Sequence, residues 1–184
     1  MSKPICTVMV GLPGLGKSTH IESERKLYER IGLGLFVYST DAYIEREVSK
    51  GEYASYDEAF EHCIDDATKR MNTELDKMIS WKNDVIWDQT NLGVGKRRKI
   101  INRMKQAGYQ VRCVCILPPK SDYDGDKEDW ARRLANRPGK TIPNDVLTKM
   151  INGFIVPTIE EGFDMITFYS MHGALIGIDY GEEE

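Results

Sequence analysis

The feature that most constrains this chain is a run of eight residues near its start, Gly11-Leu-Pro-Gly14-Leu-Gly16-Lys17-Ser18. The spacing is G-x-x-x-x-G-K-[ST], a phosphate-binding loop. Glycines let the backbone turn tightly, so several N–H groups converge on one anion. The positive end of a following helix adds to the same field. The flanks supply the setting that such a loop requires. Residues 4–10 (Pro-Ile-Cys-Thr-Val-Met-Val) read as a buried strand, and Lys17 to about Arg30 reads as a helix closed by Gly32. The run Gly11, Leu12, Pro13, Gly14, Leu15, Gly16, Lys17, Ser18 and Thr19 is therefore expected to hold a nucleoside triphosphate. Lys17 would reach the β- and γ-phosphates and Ser18 would ligate magnesium. Magnesium is the expected metal.

Downstream, strand-like and helix-like segments alternate. Leu35 to Ser39, Val85 to Trp87 and Tyr109 to Leu117 read as strands. Asp164 to Met171 and Ala174 to Tyr180 read as two more, joined at His172-Gly173. Between them lie helical patterns at Tyr43 to Val48, Gly95 to Ala107, Glu128 to Asn136, and Pro143 to about Ile155. The longest begins at Ser55, an N-cap with Glu58 three residues on. Its apolar residues Phe60, Ile64, Ala67, Met71, Leu75, Met78 and Ile79 keep helical spacing. This alternation predicts an α/β fold of the P-loop NTPase kind, a central parallel sheet flanked by helices. One domain over 1–184 is expected, with a small helical lid at about 120–142. Ligands in such sheets gather at the carboxyl ends of the strands.

Composition narrows the setting. The net charge of −4 argues against a nonspecific nucleic-acid coat, though a local basic patch would still serve an enzyme. No apolar run reaches membrane-spanning length and no secretory leader precedes the first strand, so a cytoplasmic protein without a membrane partner is expected. The four cysteines, Cys6, Cys63, Cys113 and Cys115, form no C-x-x-C pair and read as reduced, buried thiols.

Two aspartates fall where chemistry is expected. Asp41 follows the second strand and Asp88 the third, at the same sheet edge as the loop. Phosphoryl transfer to an alcohol needs a carboxylate that orients the hydroxyl and accepts its proton, and another acid near magnesium. Asp41 suits the first role and Asp88 the second, although an aspartate opening a helix also serves as a cap. A basic segment follows: Lys96, Arg97, Arg98, Lys99, Arg103 and Lys105. Lys96, Lys99 and Arg103 share one helical side, either a track for acceptor phosphates or a solvated face. Arg132, Arg133 and Arg137 form a second set. Arg133 and Arg137 share a face, and Pro138-Gly139 offers a hinge, so they either close over a triphosphate or pair with nearby acids. Asp122, Asp124 and Asp126 lack the glycine and glutamate positions of a calcium loop. His20 reads as a packing residue.

Taken in order, several tracts resemble the P-loop kinases of the polynucleotide 5′-hydroxyl kinase type. They are Gly11 to Thr19, Ser39-Thr-Asp41-Ala-Tyr43, Asp88-Gln-Thr90-Asn91-Leu92, Arg133-Leu-Ala-Asn-Arg137, Ile142-Pro-Asn-Asp145-Val-Leu, and Pro157 to Asp164. They span roughly residues 5–166. The resemblance implies an adenylate-kinase-like fold and an ATP-dependent kinase acting on a nucleic-acid hydroxyl, most often a 5′ end. It implies that Asp41 is the general base, and that Arg133 and Arg137 are lid residues on ATP phosphates. Asp41, Asp88, Thr90, Asn91 and Arg97 are then expected on the acceptor, and Lys17, Asp41, Arg133 and Arg137 at the chemistry. The chain departs from the pattern at Thr40 and Ile44, where phage-type members often carry arginines that grip the acceptor strand. That departure leaves a hydroxymethylated DNA base or a small alcohol as an alternative acceptor. A nucleotide-binding switch without transfer is a third reading.

Overall fold

A computed structural model describes residues 3–119, 124–137 and 140–181. The expected hinge at Pro138-Gly139, Asp122 of the acidic run and the tail from Glu182 to Glu184 lie outside the described residues. The sheet is built from β1 (Ile5–Val10), β2 (Leu35–Tyr38), β3 (Asp84–Trp87), β4 (Gln110–Ile116), β5 (Met165–Tyr169) and β6 (Leu175–Tyr180). Their order is β2-β3-β1-β4-β5-β6, parallel throughout except β6, which runs antiparallel to β5. The helices are α1 (Lys17–Arg30), α2 (Thr40–Ser49), α3 (Tyr56–Ser80), α4 (Val94–Gln106), α5 (Asp124–Ala135) and α6 (Asn144–Asn152).

Alternation along the strands sends side chains to two faces. Cys6, Val8 and Val10 of β1 join Val111, Cys113 and Cys115 of β4 on one face, under Leu75 of α3 and Ile100, Ile101 and Met104 of α4. Met9, Ile86 and Val114 point the other way and meet Ile21 of α1. All four cysteines are free and buried, and burial raises the thiol pKa of Cys6, Cys113 and Cys115. Parallel pairing aligns the strand ends that matter. Cys6 pairs with Val85 and Phe36 with Val85, so β1, β3 and β2 finish at one edge.

Two expectations change. Phe60 is 41% exposed, and the inward face of α3 opposite α2 carries Ala59, Cys63 and Ala67 instead. These small side chains let α2 approach closely enough to bury Tyr43 and Ile44. Helix α2 also opens at Thr40, three residues before the expected start, because the Ser39 hydroxyl accepts the Ala42 N–H as an N-cap.

The larger correction concerns Arg97. It is 0% exposed and reaches no acceptor face. Its Nε donates to Glu161 Oε2 at 2.7 Å and its Nη2 to Glu161 Oε1 at 2.6 Å. Its Nη1 donates to the carbonyls of Asn91, Leu92 and Ile155. Glu161 is itself fixed by a capping box with Thr158 at a short 3-10 turn, Ile159–Glu161. A buried guanidinium with every edge satisfied cross-links α4, the loop after β3 and the chain before β5. Removing one partner leaves the other buried and unpaired. Glu161→Ala is expected to lower unfolding free energy by about 3–5 kcal/mol, read by urea denaturation. A change below about 1 kcal/mol, the range of exposed pairs, would contradict this role.

Candidate active site

The loop after β1 is shaped by glycines that other residues replace only with strain. Gly14 has φ 78°, and a Cβ there would meet Leu134 Cδ2 at 3.2 Å and Trp130 Nε1 at 3.4 Å. Gly11 sits so close to β4 that a Cβ would lie 3.0 Å from the Ile116 carbonyl. Gly11 also donates its N–H to the Thr90 carbonyl at 3.1 Å, which ties the loop's base to the segment after β3. Helix α5 packs on the loop: Trp130 Nε1 donates to the Pro13 carbonyl at 2.8 Å. Leu12 and Leu15 anchor the loop in a small apolar cluster with Ile116 and Met171.

Lys17 opens α1, and its ammonium donates to the Gly11 and Leu12 carbonyls at 2.8 and 3.0 Å. Burial pulls its pKa down to about 8, opposed by Asp88 and Asp41 and reinforced by the cation of Arg137. The same burial raises Asp88, against the pull of Lys17 and a hydrogen bond from Ser39. Asp88 is held at the strand end by its own N–H, which donates to the Tyr38 carbonyl at 2.9 Å. His20, in contrast, packs on Tyr169 with ring centroids 5.1 Å apart.

These groups share a cleft of about 1730 Å³. Pro13 to Thr19 form its floor, with Asp88, Thr90, Arg133 and Arg137 around it. Gly11 and Leu12 underlie the floor. Asp41 enters from the first turn of α2, together with Glu45 of the same helix and Tyr56, Asp57 and Glu61 of α3. Arg133 is held at the rim, where its Nη1 donates to the Met171 carbonyl at 2.8 Å and its Nε meets Asp129 at 2.8 Å.

Asn91 is a second correction. It is 0% exposed with φ 49°, and its amide donates to the carbonyls of Met9, Trp87 and Gln89. It braces the end of β1 from behind and does not face an acceptor. The basic segment also divides. Lys96 lines the cleft, where burial lowers its pKa. Arg103 turns to Asn72 and Asp76 of α3 instead, because those side chains face it across the helix pair. The residue that sequence reasoning missed is Lys140. Its ammonium lies 3.3 Å from Asp41 Oδ2 and 2.6 Å from Glu45 Oε1. Its only signal was a lone base just beyond the proposed hinge.

The residues present fit a bound nucleoside triphosphate and magnesium. A buried ammonium amid loop glycines suits the phosphates, and Ser18 with Asp88 suits a cation that keeps most of its waters.

A glycine loop between the first strand and helix of a mostly parallel sheet defines the P-loop NTPase fold. Residues 7–157 match the AAA domain family, and the chain belongs to it. Among solved structures, one from the PezAT chromosomal toxin–antitoxin system of Streptococcus pneumoniae is similar at 17% identity and TM-score 0.65, covering 97% of this chain and 72% of that one. A candidate kinase from Chloroflexus aurantiacus is similar at 13% identity and TM-score 0.61, covering 92% of this chain and 89% of that one. At these identities the likeness is one of fold.

A lysine that titrates near 8 must be protonated to hold phosphate. Above that pH, ATP binding has to take up a proton, so affinity is expected to fall by up to about tenfold per pH unit between pH 8 and 9.5. Lys17→Arg should flatten the slope, since arginine stays charged. Titration calorimetry across that range checks it, and a flat wild-type profile would contradict it.

Proposed function

We propose that the protein transfers the γ-phosphoryl group of ATP to the hydroxyl of an alcohol, with Asp41 as general base. The observation that carries this reading is the placement of Asp41 in the same cleft as Lys17, across from the glycine loop. Asp41 would accept the hydroxyl proton as the new O–P bond forms and the bond from the γ-phosphorus to the β–γ bridging oxygen breaks. Lys17 would hold the charge that returns to the departing diphosphate. Arg133 and Arg137 would meet the same charge from the rim. Bound magnesium, near Ser18 and Asp88, would neutralise the phosphates. Helix α5, pinned to the loop through Trp130, would act as the lid that excludes water. The description of the Chloroflexus protein as a candidate kinase supports the assignment.

For the acceptor, the geometry favours a neutral reacting end, a hydroxymethyl group or a small alcohol. The wall around Asp41 carries Glu45, Asp57 and Glu61, and the adjacent ammonium of Lys140 is already paired with Asp41 and Glu45, so the excess negative charge repels a phosphate next to the reacting hydroxyl. Arg97 is consumed by Glu161, Arg46 lies over the Tyr43 ring at 5.1 Å, and Thr40 and Ile44 offer no cation. A second reading, a nucleic-acid 5′-hydroxyl, is supported by the ordered tracts and by Lys96 in the cleft.

Labelled ATP offered with 5′-hydroxyl oligonucleotides, hydroxymethylated DNA and a panel of small alcohols separates these readings. Label is expected in the second or third class; label confined to 5′ ends would favour the second reading. With whichever acceptor works, Asp41→Asn should lower kcat by about 10²–10⁴-fold while ATP still binds. Unchanged turnover in that variant would reject Asp41 as the base.

A further inference from the structure

Lys140 has an environment that the transfer reaction, as drawn above, does not use. Its side chain is only 10% exposed, whereas those of its partners Asp41 and Glu45 are 55% and 56% exposed. Its ammonium contacts Asp41 Oδ2 and Glu45 Oε1 of α2 and sits 4.1 Å from the centre of the Tyr56 ring of α3. Drying a long, flexible cation costs rotamer entropy and hydration, so partners this specific are needed to hold it. Tyr56 also lies beside Asp41: burial, then the carboxylate's charge and a hydrogen bond to it, raise the tyrosine pKa. Asp41 is thus gripped by an ammonium and a phenol, although its position in the first turn of α2 leaves it open to solvent.

The segment that carries Lys140 adds a connection. The Lys140 N–H donates to the Arg137 carbonyl at 3.4 Å. Arg137 acts on Lys17 at the phosphate floor, and Lys140 faces Asp41.

We propose that Lys140 is a positioning residue: anchored by Glu45 and Tyr56, it fixes the Asp41 carboxylate for the acceptor hydroxyl. The proposal rests on Asp41 being the base. A base misaligned by about 1 Å loses on the order of 10²-fold, and a swinging carboxylate on a half-exposed helix turn is free to misalign by more.

The test is a double-mutant cycle on the full chain with the acceptor found by the panel. Lys140→Met is expected to lower kcat by about ten- to a hundredfold, with the affinity for a fluorescent ATP analogue within about twofold of wild type. Lys140→Arg, which keeps the charge and donors, should recover most of the loss. In an Asp41→Asn background, Lys140→Met should cost nothing further, because Lys140 acts only through that carboxylate. A full additional loss in that background, or an unchanged kcat in Lys140→Met alone, overturns the proposal. Should the wild type phosphorylate no acceptor, the phosphotransferase reading fails on its own. The four proteins of the cycle, wild type, Lys140→Met, Asp41→Asn and the double variant, are therefore also unfolded in urea. Non-additive midpoints are expected from the Lys140–Asp41 contact, and additive ones overturn it whatever the activity.

Discussion

Lys17 carries an ammonium into the loop after β1 and gives its hydrogens to the carbonyls of Gly11 and Leu12. Those carbonyls face the ammonium because Gly11 lies against β4 and its N–H is spent on Thr90. The rest of the cleft is organised around this one cation. Asp88 is drawn toward it against burial, Arg137 weakens its hold on a proton, and Asp41 opposes that effect from α2. A buried positive charge with neutral partners has more to gain from an anion than an exposed one does. That is the physical reason for reading the floor as a phosphate site.

Behind the floor stands a polar scaffold that is almost wholly buried. Asn91 holds the carbonyls at the ends of β1 and β3, and Arg97 holds those of Asn91 and Leu92. Glu161 closes the set. These groups fix the strand ends from which Gly11 and Asp88 depart. Polar residues of this kind are easily mistaken for acceptor contacts, since both uses place them beside the site.

The sheet, the glycine loop and the positions of Asp41 and Asp88 were legible because each follows from local rules. Apolar strands, a fixed glycine spacing and residues just past a strand end need no tertiary knowledge. Arg97 and Asn91 were not legible in the same way. Arg97 sits in a ten-residue segment with six bases, and nothing local separates the one that turns inward to a glutamate 64 positions away. Phe60 failed for a related reason: the stripe on α3 was set by how close α2 comes, and small residues won over the larger apolar ones. Lys140 lacked any pattern, because it lies between helices and its partners come from α2 and α3.

Transfer with Asp41 as base requires the loop to set a triphosphate so that its last phosphorus faces Asp41. A crystal structure with magnesium and a non-hydrolysable ATP analogue measures this directly. The γ-phosphate is expected against Lys17, with its phosphorus about 5–6 Å from the Asp41 carboxylate, room for one alcohol oxygen between them. A γ-phosphorus well beyond that distance, or turned away from α2 with Asp41 pointing to solvent, would contradict Asp41 as base.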